Sequence, residues 1–179
     1  MKKESTMQKL FTYAGSYKYL TIASWILSAA SALIALLPFY YIWRIMQEVV
    51  LAAPDYSKAQ NLSGLGWSAV GFALLSMSIY ICALLCSHIA AFHVQANMRS
   101  TLMPMGFMDS EGSGKIRKIV NESTAATETY LAHQMPDKAG AMATPVGLLV
   151  LLVVFDWKLG LLSLVPVVFA FLIMGAMTG

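Results

Sequence analysis

Apolar and polar positions alternate along this chain in long blocks. Four stretches carry no Asp, Glu, Lys or Arg: Tyr19 to Trp43, Ala59 to Met98, Ala139 to Phe155, and Leu159 to Gly179. A helix crossing a bilayer needs about 17–25 apolar residues, so each block is long enough, the third only just. Ahead of the first block, Met7, Leu10, Phe11 and Ala14 recur at i, i+3, i+4 and i+7. That is one face of a helix, and it predicts a short amphipathic helix over about 5–16 lying on the membrane surface.

The blocks predict spans over about 19–43, 65–88, 139–155 and 159–179. Pro38 falls near the outer end of the first, where Tyr40, Tyr41 and Trp43 suit an interfacial aromatic belt. Residues Arg44 to Gly64 then read as an outer loop, with a turn at Pro54 and Asp55. The second helix meets no breaker from Leu65 to Pro104, so it continues to about 103. At 1.5 Å per residue that is about 57 Å, against a hydrocarbon core of about 30 Å. The excess, marked by His88, His93, Gln95, Asn97 and Arg99, projects from the membrane. The third span has a matching polar extension from Glu122 to Asp137, with Pro136 and Pro145 expected to kink it or shift its start. Asp156, Trp157 and Lys158 leave room only for a tight outer turn. Two projecting helices with a polar segment at 105–121 between them form a stalk. The fold class is therefore all-α membrane protein, with four transmembrane helices and long cytoplasmic extensions.

Composition agrees. The chain is 58% hydrophobic and 12% charged, about half the charge of an ordinary soluble domain. Of the 12 basic residues, nine lie in the N-terminal segment or around the polar insert (Lys2, Lys3, Lys9, Lys18, Arg99, Lys115, Arg117, Lys118, Lys138). Arg44, Lys58 and Lys158 lie on the other side. The bias places the N-terminus and the insert in the cytoplasm and accounts for the net charge of +3 without nucleic acid. The first apolar run is longer than the usual h-region and more spans follow, which argues for a retained signal anchor. The chain stops where the fourth span reaches the cytoplasmic surface, without cap or loop, as a truncated chain would.

Several motifs carry candidate chemistry. Gly112-Ser113-Gly114-Lys115 looks like the end of a phosphate-binding loop. GxxxxGK[ST] requires a first glycine where Asp109 stands and a hydroxyl where Ile116 stands, so ATP binding is rejected here. Ser113 instead suits the N-cap of a short helix with Ile116, Ile119 and Val120 on its apolar face and Lys115 and Lys118 beside it. Cys82 and Cys86 lie one turn apart, with His93 two turns further on. A soft metal suits such a stripe, but packing is the simpler reading, and no metal ligand set is assigned. Ser24, Ser28 and Ser31 form a small polar stripe on the first span that suits either a translocation cavity or close helix packing. Asn61-Leu-Ser63 and Asn121-Glu-Ser123 match glycosylation sequons, a pattern common by chance. The spans carry no carboxylate, Lys or Arg, which argues against an ion-coupled carrier. No nucleophile, base and orienting group come together, so no catalytic residue is assigned, and whether the chain belongs to an enzyme stays open.

The run Arg99-Ser-Thr-Leu-Met-Pro104-Met-Gly106-Phe107-Met-Asp109, followed by Ser113-Gly114-Lys115-Ile116-Arg117-Lys118-Ile119-Val120-Asn121-Glu122, resembles ATP-binding cassette transporters of the exporter type. The surface helix, the very long second helix and the Asp-Trp-Lys turn fit the same pattern. The stretch Ala132-His133-Gln134-Met135-Pro136-Asp137 is similar to a bacterial subgroup that includes siderophore-handling transporters. The resemblance implies a partial transporter transmembrane domain over 1–179 in a bacterial inner membrane, with a coupling helix at Gly114–Asn121, capped by Ser113, and a second lever from Glu122. It further implies ATP and magnesium on a nucleotide-binding domain that this chain does not contain, and a second transporter half as homo- or heterodimer. The substrate stays unknown. The family has six spans, where four are counted here. The alternative is a self-contained four-span protein, a channel subunit or membrane partner without ATP coupling. Continuation of the reading frame past Gly179 discriminates the two.

Overall fold

The computed structural model describes residues 12–59, 61–102 and 113–178, and every element among them is helical. The expected surface helix at about 5–16 lies mostly outside the described residues. Its last turn, Thr12–Ala14, is helical and passes into a 3-10 turn at Gly15–Tyr17. Gly15 has φ +54°, a left-handed conformation that glycine adopts without penalty. Six helices follow: α1 (Lys18–Ile34), α2 (Leu37–Ala52), α3 (Leu62–Leu102), α4 (Ser113–Thr129), α5 (Met135–Phe155) and α6 (Trp157–Thr178). A π turn, Tyr130–Gln134, joins α4 to α5.

The first predicted span is two helices. Proline at position 38 has no N–H, and its ring collides with the carbonyl four residues back, so α1 stops at Ile34. The chain bridges the gap with short-range bonds, Leu36 N–H to the Leu33 carbonyl (3.2 Å) and Phe39 N–H to the Leu36 carbonyl (3.1 Å). The expected outer loop from Arg44 to Gly64 is shorter in the structure. From Arg44 there is no Gly or Pro before Pro54, so α2 continues to Ala52. Ala53, held extended at ψ 140° as a residue before proline must be, ends it. Beyond it Asp55 accepts a bond from the Ser57 hydroxyl (2.6 Å).

Three helical stretches, Thr12–Ala52, Leu62–Thr101 and Lys118–Phe155, are long and apolar enough to cross a membrane, and Trp157–Ala170 is a shorter apolar helix. This is an all-α, multi-pass membrane architecture. The 41 residues of α3 correspond to about 60 Å of helix.

The chain divides into two compact units. The unit comprising residues 32–77 and 141–179 is joined by aromatic contacts. Trp43 stacks on Phe155 (4.6 Å, 17°) and Tyr41 on Phe72 (5.4 Å). The α5–α6 hairpin turns on Asp156 alone. Its carboxylate accepts the Lys158 backbone N–H at 2.8 Å, a capping bond that satisfies a free amide at the helix start. Such a turn needs close backbone approach. A Cβ on Gly160 would lie 2.8 Å from Val153 Cα and 2.9 Å from Val153 N, so only glycine fits.

The unit comprising residues up to 31 and 78–140 is built on small side chains. On α3, Ala83, Ser87, Ala90, Ala91 and Val94 are buried, and on α1 Thr21, Ser24, Ser28 and Ser31 are buried. Leu131, Ala132 and Pro136 are buried on the facing segment. Small residues allow helix axes to approach closely, the usual packing mode in lipid. Large apolar side chains of this unit such as Leu85, Ile89 and Phe92 point outwards, as lipid-facing residues do.

These contacts set a paired expectation. Gly160→Ala should lower stability by about 1–3 kcal/mol through forced backbone displacement. Gly71→Ala, at a helical site where a Cβ meets nothing within 4 Å, should be neutral or stabilising by up to about 1 kcal/mol. Thermal unfolding of the detergent-solubilised chain measures both.

Candidate functional site

The segment expected to dock on a partner opens α4. A separate short helix over Gly114–Asn121 does not exist in the structure. One continuous helix runs from Ser113 to Thr129, because no glycine or proline follows Gly114 until Pro136. The expected second lever from Glu122 is the continuation of that helix. The side chains of Ser113, Lys115, Ile116 and Arg117 lie outside the described residues, as do residues 103–112 with the turn at Gly106–Gly112. Among the others, Gly114, Lys118 and Ile119 are exposed, and Val120 and Asn121 are half-buried. Lys118 pairs with Glu122 at 3.7 Å on the solvent side, an i,i+4 pair worth only about 0.3–0.5 kcal/mol. Ile119, 52% exposed, is therefore a large apolar side chain without cover on a polar helix.

Further along, α4 is bound to the end of α3. The Arg99 Nε donates to the Thr124 hydroxyl oxygen at 3.3 Å, and that hydroxyl donates to the Asn121 carbonyl at 3.1 Å. Thr124 is fully buried. The same end of α3 also holds the N-terminal segment. Asn97 Nδ2 donates to the Tyr13 carbonyl at 2.9 Å, and His93 stacks on Tyr17 with ring centres 3.7 Å apart. Tyr13 lies just before the break at Gly15, where helical partners for carbonyls run out, and the Asn97 amide meets that need. Arg99, Asn97 and His93 mark the projecting part of α3 in the sequence, and their contacts tie three segments together.

The serine stripe lies at a helix contact in this structure. Ser24 donates to the Thr21 carbonyl (2.8 Å) within its own helix, while Ser28 donates across to the Pro136 carbonyl (2.6 Å). Both are buried, as is Ser31. Pro136 is the centre of the arrangement. It has no N–H to give, so the α-helical bond to the Ala132 carbonyl, four residues before it, is missing. Ser87 of α3 fills the place, its hydroxyl 2.6 Å from the Leu131 oxygen and 3.0 Å from the Ala132 oxygen. The sequence held both halves of this signal, a proline inside a helix and a serine in an apolar span, but not their pairing.

Polar groups flank the same seam. Tyr80 donates to Asp137 at 2.8 Å, Lys138 lies over the Tyr130 ring, and His88 and His133 meet edge to face at 4.7 Å. Cys82 is exposed and Cys86 half-buried, both as free thiols, and His93 is engaged with Tyr17 and with the Ile89 carbonyl. Among the described residues no group of three or more His, Cys, Asp or Glu is placed to hold a metal ion.

No family model matches the chain. Among curated proteins it is similar to the mycobactin import ATP-binding/permease protein IrtA of Mycobacterium tuberculosis, with 29% identity over 163 residues. The proteins of the same name from Mycolicibacterium smegmatis and Mycolicibacterium thermoresistibile are 29% and 28% identical to it. These matches cover 88% of this chain and 18% of each relative. The resemblance to ATP-binding cassette transporters is borne out. So is its narrower form, the likeness to the subgroup that includes siderophore-handling members. The chain spans 18% of the length of the curated relatives it matches.

The bond network sets a test of its own. Thr124→Val keeps the shape but removes the acceptor for Arg99, and should cost about 1 kcal/mol. Lys118→Met, at the exposed pair, should change stability by less than about 0.5 kcal/mol. Equal losses in thermal unfolding would contradict this ranking.

Proposed function

We propose that this chain forms part of the membrane-spanning path of an ATP-driven transporter and receives movement from a nucleotide-binding domain. The observation that carries the reading is the similarity along 88% of the chain to three ATP-binding/permease proteins. In this reading α6 is a fourth span, the N-terminus and α4 are cytoplasmic, and the membrane is the bacterial inner membrane. The basic bias of the N-terminal and insert segments supports that orientation.

The start of α4, Ser113 to Asn121, is the docking surface. The exposed Ile119 beside Lys118 supports this, since a large apolar group on a polar helix gains from burial against a partner. The bonds of Arg99 to Thr124 and of Asn97 to Tyr13 tie α4 and the N-terminal segment to the end of α3, which supports passage of a displacement from α4 to α3. ATP and magnesium act on the nucleotide-binding domain, and a second transporter half completes the path. The relatives are named for mycobactin import, so mycobactin uptake is the first transport to test.

The test uses the full-length gene product in vesicles. Nucleotide-dependent mycobactin accumulation is the expected result. Ile119→Asp should lower it about ten-fold, equivalent to about 1.4 kcal/mol, with the thermal unfolding midpoint unchanged. Accumulation independent of nucleotide would favour a channel or membrane partner instead. Wild-type transport by the Ile119→Asp protein would remove α4 from the docking role.

A further inference from the structure

The helical arm from Ser113 to Phe155 contains one irregular joint. At Tyr130–Gln134 the bonding widens, so that Met135 N–H reaches the Tyr130 carbonyl five residues back. Pro136 follows at once. A proline at this place removes a donor and pushes its ring at the Ala132 carbonyl, and π turns of this kind concentrate at functional sites. Away from water, carbonyls stripped of partners are costly, and Leu131 and Ala132 are both buried. The Ser87 hydroxyl lies within bonding distance of both, at 2.6 Å and 3.0 Å, and so can stand in for the one donor that the proline removes. The carbonyl of Pro136 itself also accepts the Ser28 hydroxyl, at 2.6 Å.

A backbone N–H and a serine hydroxyl differ in one respect that matters. The amide hydrogen is fixed in the peptide plane, so its bond defines one helix geometry. The hydroxyl hydrogen rotates about the Cβ–Oγ bond. From its present position the single Ser87 proton can pass between the Leu131 and Ala132 oxygens while both stay within bonding distance. We propose that Pro136 and Ser87 together form a hinge in this arm: the proline deletes the donor that would lock the helix, and the neighbouring hydroxyl replaces it with one that tolerates bending. Ser87 is thus a positioning residue, acting through the backbone of the π turn. Its role as a moving part in transport rests on the transporter reading above; donor replacement does not.

The two parts are tested separately. For donor replacement, amide exchange is followed in peptides covering residues 128–140 of the chain in lipid nanodiscs. Ser87→Ala should speed exchange there about ten-fold or more, and Ser87→Thr, which keeps the hydroxyl, should restore protection to within about two-fold. Pro136→Ala returns an N–H to the helix, so adding Ser87→Ala to it should change exchange by less than about two-fold. An undiminished serine effect in the Pro136→Ala background overturns the proposal, as does no effect of Ser87→Ala in the wild-type chain. If Ser87→Ala alone prevents folding, recovery of a folded protein by adding Pro136→Ala supports it, and failure of both variants to fold overturns it.

For the hinge, full-length Pro136→Ala transporter should keep nucleotide hydrolysis within about two-fold and lose transport about ten-fold. Wild-type transport by that variant overturns the hinge. Absence of nucleotide-dependent transport in the unmutated protein sinks the transporter reading instead, and the exchange experiment still decides donor replacement.

Discussion

Every carbonyl that leaves water in this protein must find a donor, and the prolines show how the chain meets that demand. In hydrocarbon an unsatisfied backbone group costs several kcal/mol, and a proline within a helical run removes one donor. The structure uses different answers at different places. At Pro38 the helix ends and two short-range bonds carry the chain across. At Pro136 the helix widens into a π turn, and a serine from α3 supplies the missing donor. At Pro145 and Pro166 the helix continues through the proline. At Pro136 the remedy comes from another helix, so there local backbone chemistry bears on how two helices pack.

That dependence explains the composition of the buried seam. A serine hydroxyl reaches a facing backbone carbonyl at 2.6 Å only if the helices approach closely, and close approach requires Ala, Ser and Thr at the contact. The buried residues of α3 and α1 are of that kind, with Val94 the largest among them. Interhelical hydrogen bonds in membranes average about 0.6 kcal/mol. The seam is therefore held by the close fit of many small groups, and its hydroxyls chiefly prevent a penalty. Large apolar side chains are left to face lipid, where burying them against protein gains little, since lipid tails are equally apolar.

Towards the end of α3 the chemistry changes from neutral hydroxyls to charged and amide groups. Arg99, Asn97 and His93 hold α4 and the N-terminal segment through a guanidinium, an amide and a ring stack. Such groups are affordable beside water and not in hydrocarbon.

The sequence alone determined the class of this protein. Uncharged blocks of membrane length, their separation by a basic polar segment, and the length of the second helix all follow from patterns of hydrophobicity and breakers that need no tertiary information. Its resemblance to ATP-binding cassette transporters was legible in the order of motifs around Arg99–Glu122. The continuation of α2 to Ala52 was also within reach, since no breaker precedes Pro54, but the charges of Arg44 and Glu48 obscured it. What only the tertiary structure decided was partnership across helices. Which carbonyl the Ser28 hydroxyl meets, and which side chain answers the proline at 136, depends on the rotation and register of one helix against another. Those are set by the summed fit of small side chains on both surfaces, and no single segment encodes them.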